Sequence, residues 1–192
     1  MPKPLPLKGK KKMNFSDFKP ALRFLLIFLS VYFVLNLLYG VWIETLGQQP
    51  DVVTHWVSNQ SAAIVRAMGW EAQAVPNPDG PTIRMTDGNK TILNVFEGCN
   101  GINVIIVFLA FIMAFGGSLK KMVWFIPLGI LVIHLFNLFR ILLLYFLASN
   151  NSTYFYYFHK YFFTAVIYLA VFFLWWLWII LNHGKRETAD KD

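Results

Sequence analysis

Three residues in this chain have side chains suited to covalent chemistry on a peptide bond, and they lie far apart in sequence. Cys99 is the only cysteine, set in "NVFEGCNGINVII" (94–106) where a polar stretch meets an apolar run. Arg140 interrupts the apolar "HLFNLFRILLLYFL", and His159 lies in the aromatic block "YFYYFHKYFF". A thiolate is a nucleophile, and its pKa falls near a cation or a helix N-terminus. An imidazole can take the thiol proton and return it to a leaving amine. A guanidinium can hold a carboxylate or stabilise the oxyanion of a tetrahedral intermediate. Together these types describe acyl transfer from a peptide bond through a thioester.

Each residue also has a plainer reading. A lone cysteine is often a small buried hydrophobe, and Arg140 could snorkel to an interface. A histidine among interfacial aromatics is often structural. Glu97 is either a solvated turn residue or an orienting group for histidine or substrate. Asn137, three residues before Arg140, shares part of its helix face and either orients it or bonds a neighbouring helix. His134 reads best as a helix–helix hydrogen bond, and His55 and His183 as surface residues.

The elements that must position these residues are membrane helices. The 192 residues are 57% hydrophobic and 18% aromatic, with mean hydropathy +0.51. A soluble domain is nearer 45–50% apolar. The excess falls in runs close to the roughly 20 residues that span a bilayer core. The fold class expected is an all-α polytopic membrane protein of about four transmembrane helices (21–43, 100–117, 122–147 and 160–182) with a small extracytoplasmic α/β insertion (44–98). Residues 1–20 form a basic arm and 183–192 a charged tail, with the membrane-embedded domain between them. The first run is long for a signal-peptide core and lacks a small-residue cleavage site, so it reads as a retained anchor. Within the insertion, Val53, Trp56, Val57, Ala63, Ile64 and Met68 recur at near-helical spacing. That predicts an amphipathic helix at the membrane surface. "TIRMTDGNKTILNVF" alternates around Asp87-Gly88, which predicts a β-hairpin. No metal-ligand spacing and no nucleotide-binding glycine motif occurs, so no cofactor is expected. With one cysteine, no intrachain disulfide is possible.

The net charge of +7 would suit nucleic acid in a soluble protein, but here the cations gather at the ends of apolar runs. In a four-span arrangement the arm, the 116–121 loop and the tail share one side, while only Arg66, Arg84, Lys90 and Lys160 fall on the other. The positive-inside rule then puts both termini in the cytoplasm and residues 44–98 and 148–160 outside. Arg140 lies 18 residues beyond Met122, roughly 27 Å along a straight helix, near the far edge of a core about 30 Å thick. Cys99, Arg140 and His159 therefore reach a similar depth on the outer side.

In order and spacing, Cys99-Asn100-Gly101, Asn137-Leu138-Phe139-Arg140 and His159 resemble the motifs of the exosortase/archaeosortase family of membrane-embedded cysteine transpeptidases. The likeness covers roughly residues 21–182 and is nearest to the family's short F-type branch. It implies Cys99 as nucleophile, His159 as acid/base and Arg140 as stabiliser of substrate or oxyanion; Glu97, Asn100 and Asn137 are read as supporting residues. The implied partners are the C-terminal sorting-signal helix of an exported protein, the lipid bilayer and an accessory membrane protein. The implied location is a bacterial inner membrane, with the site facing the periplasm. The chain departs from the family in having Asn100 where serine is usual, and in its low number of spans. Two other functions suit the composition: a non-enzymatic scaffold subunit, or a small transporter subunit with Asn103, His134, Asn137 and Arg140 along a polar path.

Overall fold

The computed structural model describes residues 18–150 and 163–183. Helix α1 (Lys19–Leu46) opens with Pro20 in its first turn and stops at Gly47, whose φ is 60°. Proline suits a first turn because the missing N–H would have no partner there. No residue of α1 is buried. It leans on the rest of the chain through contacts such as the edge-on pairing of Phe24 with Phe111, 5.6 Å between ring centres. A helix so apolar and so exposed suits a lipid environment.

Between α1 and the next membrane helix the chain builds a small α/β unit. Helix α2 (Val52–Ala67) starts at Asp51, whose carboxylate accepts the Val53 and Thr54 N–H groups, each at 2.9 Å. Strands β1 (Ala72–Pro76), β2 (Ile83–Asp87) and β3 (Lys90–Val95) follow as an antiparallel meander in the order β1-β2-β3. β2 and β3 form the expected hairpin around Gly88, whose φ is 53°. β1 was not anticipated, because "AQAVP" carries little alternation and ends in proline. It is an edge strand, the position where proline is tolerated in a sheet.

The inward face of α2 also differs from expectation. Thr54, Val57, Ser58, Ser61, Ala62 and Val65 are buried, while Val52, Trp56, Ile64 and Met68 are exposed. Small hydroxyl and methyl side chains let the helix approach its neighbours closely, as in membrane bundles. The large apolar residues that dominate the periodicity point outward.

Cys99 ends a 3-10 turn (Glu97–Cys99) that joins β3 to helix α3 (Ile102–Phe115). At 14 residues, α3 is about 21 Å long, shorter than a bilayer core. Glycines with positive φ bound it on both sides, Gly101 before and Gly116 and Gly117 after. Helix α4 (Leu119–Ser149) runs unbroken through Pro127, and helix α5 (Phe163–His183) packs beside it. Among the described residues three helices, α1, α4 and α5, are long and apolar enough to cross a membrane, so this is a mostly helical, polytopic membrane protein.

Two clusters hold the helices together. One joins α2, the sheet and the C-terminal half of α4 through Val57, Val65, Met85, Val95, Leu138, Ile141 and Tyr145, with Cys99 among them. The other joins α3, α4 and α5 through Phe108, Ile112, Phe125, Ile133, Leu174 and Trp178. Gly129 makes the second possible, because a Cβ there would stand 2.2 Å from Phe108 Cζ. Gly129→Val should therefore destabilise the protein by about 1–3 kcal/mol, the usual result of overpacking. Thermal unfolding in detergent micelles measures it. Gly40→Ala is the control: nothing lies within 4 Å of that Cβ, so its Tm should hold or rise.

Candidate active site

The turn that carries Cys99 is tied down at each backbone position. Cys99 N–H donates to the Phe96 carbonyl at 2.8 Å and Asn100 N–H to the Glu97 carbonyl at 3.3 Å. Gly101 follows at φ 88°, a conformation that side chains other than glycine rarely adopt. A Cβ at Gly101 would also meet the Asn137 amide at 3.4 Å. That distance is an ordinary contact, so it is the backbone conformation, not lack of space, that calls for glycine here.

Two residues of α4 reach this turn. Asn137 is fully buried, and its Nδ2 donates to the Cys99 carbonyl at 2.8 Å. Arg140, one turn further on, donates from Nη2 toward Cys99 Sγ at 3.8 Å. The three-residue spacing puts both on one stripe of the helix, with the amide at the backbone of the cysteine and the guanidinium at its sulfur. Asn137 Oδ1 and Arg140 Nε are buried with no hydrogen-bond partner among the described residues. Unpaired buried polar atoms are uncommon. Here they leave hydrogen-bonding capacity beside the thiol.

The structure thus brings Cys99, Asn100, Asn137 and Arg140 together, with Glu97 partly buried in the same turn. His159 lies outside the described residues. His134 is elsewhere: its Nε2 meets Gln60 Oε1 at 2.8 Å and its ring stacks on Trp56. It links α4 to α2 by a helix–helix hydrogen bond.

The thiol's electrostatics differ from the sequence expectation of a lowered pKa. Cys99 is only 5% exposed. Burial pushes the thiol above its ordinary value; Arg140 and the backbone bond to Phe96 pull it back, and Glu97 adds to the rise. Burial wins because the turn is roofed by the apolar cluster of α2 and the sheet. The start of α3 helps little: it begins at Ile102, and the Ile102 N–H is already taken by the Asn100 side chain. A thiol of this kind is protonated at rest and needs a base before it can attack.

Sequence reasoning missed three residues of the site. Asp51, Thr54 and Tyr39 all meet the Asn100 amide nitrogen. Asp51 carried a visible signal, an acidic residue directly before a helix. Nothing in the sequence linked it to a residue 49 positions away.

Because the thiol is protonated at rest, alkylation of Cys99 by a maleimide should accelerate with pH, with its midpoint above the ordinary thiol value. Arg140→Ala removes the charge that lowers this pKa, so its midpoint should lie higher still. A midpoint unmoved in Arg140→Ala would show that the guanidinium does not act on the sulfur.

No curated protein and no solved structure matches the chain. The sequence model of one family, transmembrane exosortase (Exosortase_EpsH), matches residues 16–177, a region that contains α1, the α/β unit, the cysteine turn and the Asn137–Arg140 stripe. With most of its length covered, the chain belongs to the transmembrane exosortase family.

Proposed function

We propose that the chain is a cysteine protease/transpeptidase of the F-type branch of this family. It cleaves the C-terminal sorting signal of exported proteins at the outer face of a bacterial cytoplasmic membrane. The observation that carries the reading is the Arg140 guanidinium at 3.8 Å from the Cys99 sulfur, on a turn whose carbonyl is held by Asn137.

The roles follow from which groups are free. The N–H groups of Cys99 and Asn100 are engaged by the Phe96 and Glu97 carbonyls, so neither can receive an oxyanion. The positive charge opposite a tetrahedral intermediate is then supplied by Arg140. Because burial keeps the thiol protonated, a base is required, and His159 takes that role. The Cys99 proton passes to His159 as Sγ bonds to the scissile carbonyl carbon. The oxyanion forms against Arg140. Its collapse breaks the C–N bond, and His159 returns the proton to the departing amine. A thioester remains, which an acceptor or water resolves. The substrate's own membrane helix presents the scissile bond where it leaves the bilayer, the depth of Cys99. An accessory membrane protein contributes to substrate or acceptor contact. The positive-inside charge pattern supports cytoplasmic termini and a site open to the periplasm.

Co-expression with a tail-anchored candidate substrate tests the reading. Cys99→Ala and His159→Ala should each cut processing at least about a thousandfold, as loss of a nucleophile or its base does. Arg140→Ala should cost about 10²–10³-fold, the usual effect of losing an oxyanion donor. Normal processing in all three variants would leave the scaffold or transporter reading in its place.

A further inference from the structure

Asn100 follows the reactive cysteine and is 3% exposed, and the two ends of its amide serve different helices. Oδ1 accepts the Ile102 N–H at 2.9 Å and so caps the start of α3. Nδ2 donates to Tyr39 Oη of α1 at 2.9 Å, and lies 3.4 and 3.5 Å from the two Asp51 oxygens and 3.3 Å from Thr54 Oγ1. Asp51 is itself 3% exposed and caps α2, accepting two backbone N–H groups and the Thr54 hydroxyl. The cap of one helix is hydrogen-bonded to the cap of another, and the residue that caps α3 directly follows the nucleophile.

We propose that Asp51 is a positioning residue of the reaction, acting through Asn100 to set where the Cys99 sulfur sits. The inference rests on the reading of Cys99 as nucleophile. Two physical points carry it. First, the turn is pinned from opposite sides: Asn137 of α4 holds the Cys99 carbonyl, and Asp51 at the start of α2 holds the next side chain. Loosening one side lets the sulfur move relative to Arg140, and a shift of about 1 Å at a reacting atom can cost about a hundredfold in rate. Secondly, Asp51 is held by neutral directional donors, not by a cation; the ion pair among the described residues is Arg84–Asp79. An acceptor satisfied by oriented N–H and O–H groups fixes geometry more strictly than a diffuse charge contact. A cap that only stabilised α2 would need none of the bonds to Asn100.

Exchange of the two side chains separates positioning from helix capping. In Asp51→Asn the new Oδ1 still accepts the Val53 and Thr54 N–H groups, since asparagine caps helices as well as aspartate. Its NH₂, however, replaces the Oδ2 that lay 3.5 Å from the NH₂ of Asn100, donor against donor, and leaves only the 3.4 Å contact to Oδ1. In Asn100→Asp the Ile102 N–H keeps its acceptor, but two carboxylates then face each other. The double exchange, D51N with N100D, restores donor to acceptor: the new amide at position 51 donates to the new carboxylate at 100, while the Tyr39 and Thr54 hydroxyls rotate to donate as well.

The measurement uses the full chain in membranes with the substrate named above, and maleimide as a probe of the thiol that needs no substrate. Each single variant should lower kcat at least about tenfold, the scale of a broken buried hydrogen bond, with KM little changed. In Asp51→Asn the loosened turn should also expose the thiol and speed its alkylation. The double exchange should return both readouts to within a few-fold of wild type. A double exchange no better than the worse single variant would overturn the proposal. So would single variants that lower only Tm and leave kcat and alkylation unchanged. Alkylation that follows the pairing in a chain that cleaves no substrate would uphold the clamp and overturn the protease reading, so the two fail separately.

Discussion

A single hydrogen bond, from the buried Asn137 amide to the Cys99 carbonyl, is the contact on which the geometry of this molecule turns. Irregular backbone at or near membrane depth is tolerated only where its polar groups find partners inside the protein. The break between β3 and α3 is such a place. Its carbonyl takes a donor from α4, and the turn that presents it continues through Gly101, which accepts φ 88°. The same approach sets Arg140 one turn away, at the height of the sulfur. A requirement of backbone satisfaction thus becomes the relation between a thiol and a guanidinium.

The α/β unit around the turn supports that contact. α2 meets α4 through Gln60 and Trp56 on His134, and the sheet packs on Tyr145, whose hydroxyl donates to the Thr86 carbonyl at 3.2 Å. This apolar roof explains why burial outweighs Arg140 in setting the thiol's pKa. It keeps the Cys99 thiol buried, and it strengthens the electrostatic interactions beneath it. The α3–α4–α5 cluster, with Gly129 seated on Phe108, is a separate framework that holds the helix bearing Arg140 in register with the helix that follows Cys99.

Much of this was legible in the chain before any coordinates. Long apolar runs with cations at their ends announce membrane helices, because burying about 20 uncharged residues in lipid is the stable outcome for them. The helical rise alone put Arg140 at the depth of Cys99, since an α-helix converts residue count into height, and the two are in contact. The β2–β3 hairpin was legible from the alternation around Asp87-Gly88. The likeness to exosortases rested on Cys99, Asn137, Arg140 and His159, and the match over residues 16–177 bears out the family. His159 itself lies outside the described residues.

What the sequence by itself determined were properties set by local pattern: hydropathy, charge placement, helix rise, turn chemistry. The tertiary structure alone decided which polar groups meet. α2 buries its small hydroxyl face and leaves Trp56 and Met68 exposed, because closeness of packing against the sheet, not hydropathy, selects the inner face. β1 exists because a neighbouring strand offers it hydrogen bonds, not because "AQAVP" favours a strand. The thiol's pKa rises where position alone suggested a fall, because burial depends on what covers the turn. Asp51 and Asn100 are joined across 49 residues by the docking of α2 beside the start of α3. No period or propensity encodes that meeting, since it exists only once the helices have packed.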